Sequence, residues 1–386
     1  MTEIYFDNAA TSRPFDEVCG KMLQVMTESY GNPAAQNKMG LDAERIIKEA
    51  RQALAGFLSA SPDEIFFTSG GTEGNNMALL GGAYAMQKRG KHIISSPAEH
   101  PAVLRPLEKL AEEGFEVEYL PVNERGEVSL EALEKSIRED TILVSLMTVN
   151  NETGTVTDIE EAGRIIKEKN PNTLFHTDAV QAFGKLKINA KKAKADFITA
   201  SAHKFHGPKG LGFIYIKNTS QMRPILLGGG QQKGVRPGTE NPAGAAAMAE
   251  AARLCYKDFE AKTEKIYNIK KTLWEYISEN IPDVIINGCS LEEASPYVLN
   301  VSFLGVRSNV LLNAVGAKGL FASAGSACNS RKKVESHVLN AMGLDHKRTD
   351  SALRFSFSSL NTVEEAVKAG EILKAQVEFL RKYAVR

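Results

Sequence analysis

The sequence predicts an α/β protein whose large domain holds a mostly parallel sheet of seven strands and whose smaller domain is of the α+β type. Two observations lead to this prediction. Between residues 65 and 216, short strand-like runs alternate with helical patterns, which favours a largely parallel sheet with helices on both faces. Beyond residue 282 this alternation ends. The large domain is therefore predicted to span residues 15–255, and the small domain residues 1–14 and 256–386.

The individual elements follow from these patterns in chain order. Predicted strands of the large domain are 65–67, 92–94, 117–120, 142–146, 174–176, 197–199 and 213–216. Its predicted helices include 15–30, 41–58, 72–89 and 159–169, and an alanine-rich segment at 242–252 opens a helical tract that reaches residue 280. In the small domain, strands are predicted at 298–303 and 353–357, and helices at 308–315, 336–342 and 362–383. Ligands of such a fold bind at the carboxyl ends of the parallel strands.

Composition narrows the possible partners and the compartment. The 386 residues include 47 lysines and arginines against 47 aspartates and glutamates, so a nucleic acid or an anionic membrane is disfavoured as a main partner. No apolar run approaches the length of about 18 residues that a membrane span needs, and residues 1–7 do not have the pattern of a signal peptide. The four cysteines are scattered without metal-site spacing. We therefore expect a protein of the reducing cytoplasm.

Lys204 is the first candidate for chemistry. It follows the predicted strand 197–199 within Ser201-Ala202-His203-Lys204, and a segment rich in turn residues comes next. A lysine held at a strand end beside apolar surface has its pKa lowered by desolvation, which prepares the amine to form a Schiff base with a carbonyl. Such a lysine suggests pyridoxal phosphate (PLP), whose phosphate and pyridine nitrogen also need partners. A phosphate-binding or merely solvated lysine explains the tetrapeptide equally well.

Candidate partners for a phosphate and a pyridine ring lie at the ends of other predicted strands. The glycine-rich segment 68–76 follows a strand and opens a helix, and Thr72 adds a hydroxyl group. An ordinary capped helix start is the alternative. Asp178 follows strand 174–176 and is suited to a pyridinium proton, although a helix cap is the commoner use of such a residue. Gln181 points to the same side if a helical turn follows.

Two further loops carry polar groups whose use is open. His100 follows strand 92–94, and a flat imidazole there can stack on a cofactor ring or be ordinary polar surface. Asn151, within residues 150–154, has an amide that can bind a phenolic oxygen or a substrate carboxylate, or can simply form a turn. The glycine-rich loop 228–241 contains Arg236 and Thr239, which can reach a phosphate, and a flexible connector is the alternative reading.

The last two candidates lie in the predicted small domain. Cys328 stands in a run of small residues, 322–330, which suits a nucleophile that must travel. Arg354 is a guanidinium inside a predicted strand and needs an anionic partner, which is either a substrate carboxylate or a structural salt bridge.

Taken together and in this order, these segments resemble the PLP-dependent cysteine desulfurases of the NifS/IscS type, in class V of the fold-type-I aminotransferases. The resemblance runs from Tyr5 to the final helix. Its most specific parts are Ser-Gly-Gly-Thr-Glu-Gly-Asn-Asn at 69–76, Asn-Asn-Glu-Thr-Gly at 150–154, His-Thr-Asp-Ala-Val-Gln at 176–181, the Lys204 motif, the loop 236–241 and Gly-Ser-Ala-Cys at 325–328. Small departures exist: Gly71 and Gly74 stand where the family commonly has alanine, and Ala202 where it has glycine.

The resemblance implies a fold-type-I PLP enzyme with specific residue roles. Lys204 would bind PLP covalently, and Cys328 would take the sulfur of L-cysteine as a persulfide and leave alanine. The remaining cofactor contacts would come from Gly71, Thr72, His100, Asn151, Asp178, Gln181, Ser201 and His203, with Thr239 arriving from a second subunit. His100 would also act in catalysis, and Arg354 with Asn151 would bind the substrate carboxylate.

The resemblance also implies partners. We expect a homodimer and a sulfur-acceptor protein that serves iron–sulfur cluster assembly or the thiolation of tRNA or cofactors. No metal is expected in the PLP site, although Cys328 could ligate a cluster iron transiently. The alternatives are a selenocysteine lyase, another class-V aminotransferase, or a non-catalytic sulfur-trafficking protein on the same fold.

Overall fold

The computed structural model describes residues 3–325 and 336–384. Its strands are β1 (Ile4–Tyr5), β2 (Ile65–Thr68), β3 (His92–Ser95), β4 (Glu116–Tyr119), β5 (Thr141–Ser145), β6 (Leu174–Asp178), β7 (Phe197–Ser201), β8 (Gly212–Ile216), β9 (Val284–Ile286), β10 (Val298–Phe303), β11 (Leu320–Phe321) and β12 (Ala352–Ser356). Seven of these strands form the large sheet in the order β2-β8-β7-β6-β5-β3-β4. All neighbours are parallel except β8, which is antiparallel to both β2 and β7. The predicted fold class is confirmed.

The helices cover both faces of this sheet. They are α1 (Asp16–Glu28), α2 (Lys38–Leu58), α3 (Gly71–Asn76), α4 (Gly82–Met86), α5 (Pro101–Glu112), α6 (Leu130–Ser136), α7 (Ile159–Lys169), α8 (Pro242–Tyr256), α9 (Phe259–Asn280), α10 (Ser308–Gly316), α11 (His337–Ala341), α12 (His346–Asp350) and α13 (Val363–Ala384). Successive strand residues point to opposite faces, so Val144 packs into one core cluster with α2, α7 and α8, and Leu143 into another with α5. Among the described residues, no helix has both the length and the apolar character needed to cross a membrane.

A second core lies outside the large sheet. It packs α9 and α13 against the antiparallel sheet β12-β10-β9, and it includes Ile4, Phe6 and Ala9 from the start of the chain. β1 pairs in parallel with β11, so the first residues are tied to the last third of the sequence. The proposed domain division, with residues 1–14 grouped with 256–386, is consistent with this core and stays a prediction.

Two predicted helices differ in detail from the structure. The tract expected to run continuously to residue 280 is interrupted after Tyr256, because Asp258 adopts a left-handed backbone with φ of 51°. The helix expected at 72–89 contains a π-helical segment, Met77–Gly81, between α3 and α4. Such π turns are frequent next to functional sites. The very short strands β9 and β11 had no distinct sequence signal.

Candidate active site

A cavity of about 230 Å³ opens at the carboxyl ends of β5, β6 and β7. Asp178 is the last residue of β6, Ser201 is the last residue of β7, and Asn151 follows β5. Its walls contain most of the predicted site residues: Gly71, Thr72, His100, Asn151, Asp178, Gln181, Ser201, His203, Lys204 and Arg354. The chain thus brings ten candidates from six separate segments to one place.

Lys204 lies at the floor of the cavity on a short 3₁₀ turn, Ala202–Lys204, directly after β7. Its Nζ donates hydrogen bonds of 2.7 Å to the backbone carbonyls of Ala9 and Ala10. The turn is closed by the N–H groups of Phe205 and Gly207, which both donate to the Ala202 carbonyl. Two backbone carbonyls near the start of the chain therefore help to orient the amine.

Asp178 presents a carboxylate that is only 5% exposed. Its Oδ2 accepts a 2.6 Å hydrogen bond from Nδ2 of Asn75, and its Oδ1 accepts one of 2.9 Å from the backbone N–H of Val180. The helix-cap alternative is wrong because turns, not a helix, follow Asp178: its Oδ1 closes the first turn, and its Oδ2 binds a side chain 103 positions away. A buried, oriented carboxylate suits a protonated ring nitrogen.

The opposite end of the cavity offers hydroxyl groups, an imidazole and the start of α3. Thr72, Ser201 and His203 also line an adjoining cleft together with Lys209. Burial, with help from Lys204 and Lys209, lowers the pKa of His203 to about 4, so its ring is neutral at pH 7. Gly71 has no room for a side chain, since a Cβ there would lie 2.5 Å from a methyl group of Val180. Glycine at this position therefore lets the start of α3 lie close to Val180, which lines the same cavity.

His100 caps α5 and lines the cavity. Its Nδ1 accepts a hydrogen bond from the N–H of Ala102, which fixes the position of the ring. Burial lowers its pKa, Asp178 opposes this shift, and Lys204 and His337 reinforce it. The neighbouring Glu99 is buried, with a pKa raised well above its usual value chiefly by desolvation. The interpretation of His100 as polar surface is excluded by this placement.

Arg354 forms the structural salt bridge considered above, and its binding of a substrate carboxylate stays a prediction. Its Nη2 pairs with Oδ1 of Asp7 at 3.1 Å, and its Nη1 donates to the carbonyl of Asn151 at 2.8 Å. The side chain is only 2% exposed, yet it lines the cavity, and its Nε has no partner among the described residues. Oδ1 of Asn151 is a second buried polar atom without a described partner. The Nε–H of Arg354 can donate a hydrogen bond to a ligand, and Oδ1 of Asn151 can accept one.

Two candidates from the loop 228–241, Thr239 and Arg236, do not line the cavity. Thr239 is exposed and is absent from the cavity walls, so a phosphate contact from it within the same chain is not formed. Arg236 of the same loop pairs with Glu73 at 2.8 Å instead of facing the cavity. Cys328 lies outside the described residues.

Sequence reasoning missed several residues that shape the cavity. Ala9 and Ala10 contribute backbone carbonyls, which leave no side-chain signal. Asn75 was visible only as part of a glycine-rich segment, and Asp7 only as part of a turn. Lys185 donates a hydrogen bond to Gln181, four residues before it. This spacing, which brings side chains together on a helical turn, was a signal that the sequence contained.

The residues present fit PLP. A lysine amine, a buried carboxylate for the ring nitrogen, and a hydroxyl-lined helix start for the phosphate occur in one cavity. The unpartnered Oδ1 of Asn151 and Nε of Arg354 add polar groups that a cofactor and a carboxylate substrate would satisfy.

Comparison with known proteins agrees with this geometry. A family profile described as Aminotransferase class-V matches residues 4–368. A solved structure named NifS-like protein has a TM-score of 0.92 and 38% identity, covering 98% of this chain and 100% of that chain. The structure of SspA in complex with cysteine has a TM-score of 0.82 and 33% identity, covering 93% and 99%. The fold is therefore that of the fold-type-I PLP-dependent enzymes.

A curated relative narrows this class. Cysteine desulfurase IscS of Clostridium botulinum is 41% identical over 372 residues, which cover 96% of this chain and 93% of the relative. The chain belongs to the class-V aminotransferase family, among the cysteine desulfurases of the NifS/IscS type.

Proposed function

We propose that this protein uses PLP to remove sulfur from L-cysteine, giving L-alanine and a persulfide on Cys328. The observation that carries the proposal is the single cavity in which Lys204, Asp178 and Arg354 meet. Its support from relatives is the near full-length match to a cysteine desulfurase. When bound, PLP supplies an electron sink for negative charge at the substrate α-carbon.

The residues of the chain divide the remaining work. Arg354 binds the substrate carboxylate through its guanidinium group, and the amide of Asn151 lies beside it. Lys204 Nζ takes and returns the α-proton, because it is the amine at the cavity floor. Asp178 holds the proton of the ring nitrogen, and Thr72, Ser201 and His203 bind the phosphate. His100, whose pKa is lowered chiefly by burial, would pack against the ring face.

Sulfur transfer then requires a thiolate. Cys328 attacks the substrate sulfur, the bond between that sulfur and the substrate β-carbon breaks, and the β-carbon gains a proton to become the alanine methyl group. The new S–S bond leaves a persulfide on Cys328, which is a reversible sulfur store that an acceptor protein can discharge. A homodimer with Thr239 completing the neighbour's phosphate site, an acceptor for cluster assembly or thiolation, and a cytoplasmic location complete the proposal.

The test compares variants of the PLP-loaded protein. Cys328→Ala should keep the visible absorbance of bound cofactor and lose alanine release from L-cysteine by at least about 100-fold, since the sulfur then has no acceptor. Lys204→Ala should lose both the covalent attachment, measured by borohydride labelling, and the turnover. Cys19→Ala, at an exposed thiol of α1, is the matched control and should change neither.

Each alternative has its own result. Full turnover of L-cysteine by Cys328→Ala would contradict the proposed persulfide and favour a lyase or aminotransferase. A colourless protein that borohydride does not label at Lys204 would favour a non-catalytic role.

A further inference from the structure

Lys185 is a second buried lysine beside the cavity, with only 5% of its surface exposed. Its Nζ donates a 2.9 Å hydrogen bond to Oε1 of Gln181 and lies 5.7 Å from the ring centroid of Tyr297. None of the ion pairs formed among residues 3–325 and 336–384 includes it. A buried ammonium without a carboxylate is costly, so its position calls for an explanation.

A short chain of hydrogen bonds connects Lys185 to Lys204. Gln181 Nε2 donates to the Ala9 carbonyl at 2.9 Å, and Lys204 Nζ donates to the same carbonyl at 2.7 Å. Because an ammonium has donors and no acceptor, it fixes Oε1 of Gln181 on its own side and turns the NH₂ group away from it. The amide of Gln181, which lines the cavity, thereby becomes a donor at the cavity floor.

We propose that Lys185 is a positioning residue of the cofactor site: it holds the Gln181 amide as a donor toward the cofactor and places a cation behind Lys204. The proposal rests on the proposed PLP chemistry. A fixed donor stabilises an ionised ring oxygen, and a nearby cation makes Lys204 easier to deprotonate. Both effects favour the unprotonated form of the linkage between Lys204 and PLP.

The groups that face Lys185 allow this role. Behind the cavity floor, the titratable side chains that line a small void of about 20 Å³ are Lys185, Lys204, His206, Cys255, Lys262 and Tyr297. Burial first, then Lys204 and Arg354, lower the pKa of Lys185 to about 7 against an opposing effect of Cys255, so its ammonium form predominates below about pH 7. The charge of Lys185 also helps to lower the pKa values of His203 and His206, each to about 4. Among the described residues that line the void, none is a carboxylate.

The experiment is a pH titration of the visible absorbance of the PLP-loaded protein. Lys185→Met keeps the length of the side chain but removes its donors and charge, and should raise the midpoint by about one pH unit. Lys185→Arg keeps both features, so its midpoint should equal that of the unchanged protein or lie below it. The dissociation constant of PLP, measured by reconstitution of the apoprotein, should rise for Lys185→Met and not for Lys185→Arg.

Lys270→Met is the matched control. Lys270 is also buried, with its pKa lowered to about 8 by desolvation, but it bonds the carbonyls of Leu291 and Ser295 far from the cavity. Its replacement should lower stability without moving the titration midpoint. Equal shifts for Lys185→Met and Lys270→Met would overturn the proposal. If Lys185→Met does not fold, a raised midpoint in Lys185→Arg would overturn it instead.

A double substitution tests the route through Gln181. In a Gln181→Leu background there is no amide to position, so Lys185→Met should shift the midpoint less than it does in the unchanged protein. An equal shift in both backgrounds would refute the positioning role. Failure of the proposed function looks different, because no variant would then bind PLP and show a titration.

Discussion

Arg354 is a buried side chain that links Asp7 to the loop of Asn151 and also lines the cavity. Its bonds to Asp7 and to the Asn151 carbonyl fix the plane of the guanidinium group, and its Nε is buried without a partner among the described residues. An ion pair alone would explain a buried arginine, but it would not require the group to line a cavity. This geometry supports the proposed role of Arg354 as a receptor for the substrate carboxylate, with an orientation set in advance.

We expect Arg354→Lys to raise the KM for L-cysteine by about 10-fold or more, because an ammonium cannot reproduce two-point binding of a carboxylate. Arg348→Lys is the matched control, since Arg348 makes comparable bonds to Asn287 and the Ile286 carbonyl outside the cavity. Steady-state alanine release gives KM, and thermal denaturation compares the stability of the two variants. A KM that rises equally in both would mean that Arg354 has no special place in substrate binding.

At the scale of elements, the parallel strands could be predicted from the sequence, and the candidate active site could be predicted in part. Strands such as β5 and β7 are mostly apolar and are buried along their whole length, and the polar residues that follow them had to meet at one sheet edge. The break between α8 and α9 was not predictable, because Lys257 and Asp258 are compatible with a helix until tertiary packing sets the left-handed backbone of Asp258. The contribution of Ala9 was hidden because it acts through a carbonyl group.

An ion pair between Glu73 and Arg236 holds the start of α3, and its contribution to stability depends on pH. Burial alone would raise the pKa of Glu73, but hydrogen bonds from Arg236 and the Ser69 N–H outweigh it and lower the pKa below its usual value of 4.5. A pKa that is lower in the folded state gives a stabilisation that is present above pH 4.5 and is lost as the pH falls toward the folded-state pKa.

We therefore expect Glu73→Gln to lower the free energy of unfolding by about 1 kcal/mol at pH 7, since solvent screens the half-buried pair. The difference from the unchanged protein should shrink as the pH falls below 4.5. Urea denaturation of the PLP-loaded protein between neutral and acidic pH measures it. Glu161→Gln, at an exposed pair with Arg164, should show no such difference. A difference for Glu73→Gln that grows on acidification would be inconsistent with the lowered pKa.

At the scale of the whole molecule, the first residues connect the second core to the active site. Phe6 packs edge-on against Phe357 in that core, with ring centroids 5.0 Å apart. Three residues later the same segment supplies the carbonyls that hold Lys204, and Ser12 then bonds the carbonyl of His203. A change in packing around Phe6 should therefore weaken PLP binding, whereas a change elsewhere in the second core should not.

Phe6→Ala and Phe303→Ala test this connection, because both remove a fully buried ring from the same core. Each should cost about 3–5 kcal/mol of stability, measured by the fluorescence of Trp274, the only tryptophan, which packs against that core. Only Phe6→Ala should also weaken PLP binding, since only Phe6 lies on the segment that positions Ala9 and Ala10. Equal PLP dissociation constants at matched loss of stability would show that the first residues stabilise the second core without setting the position of Lys204.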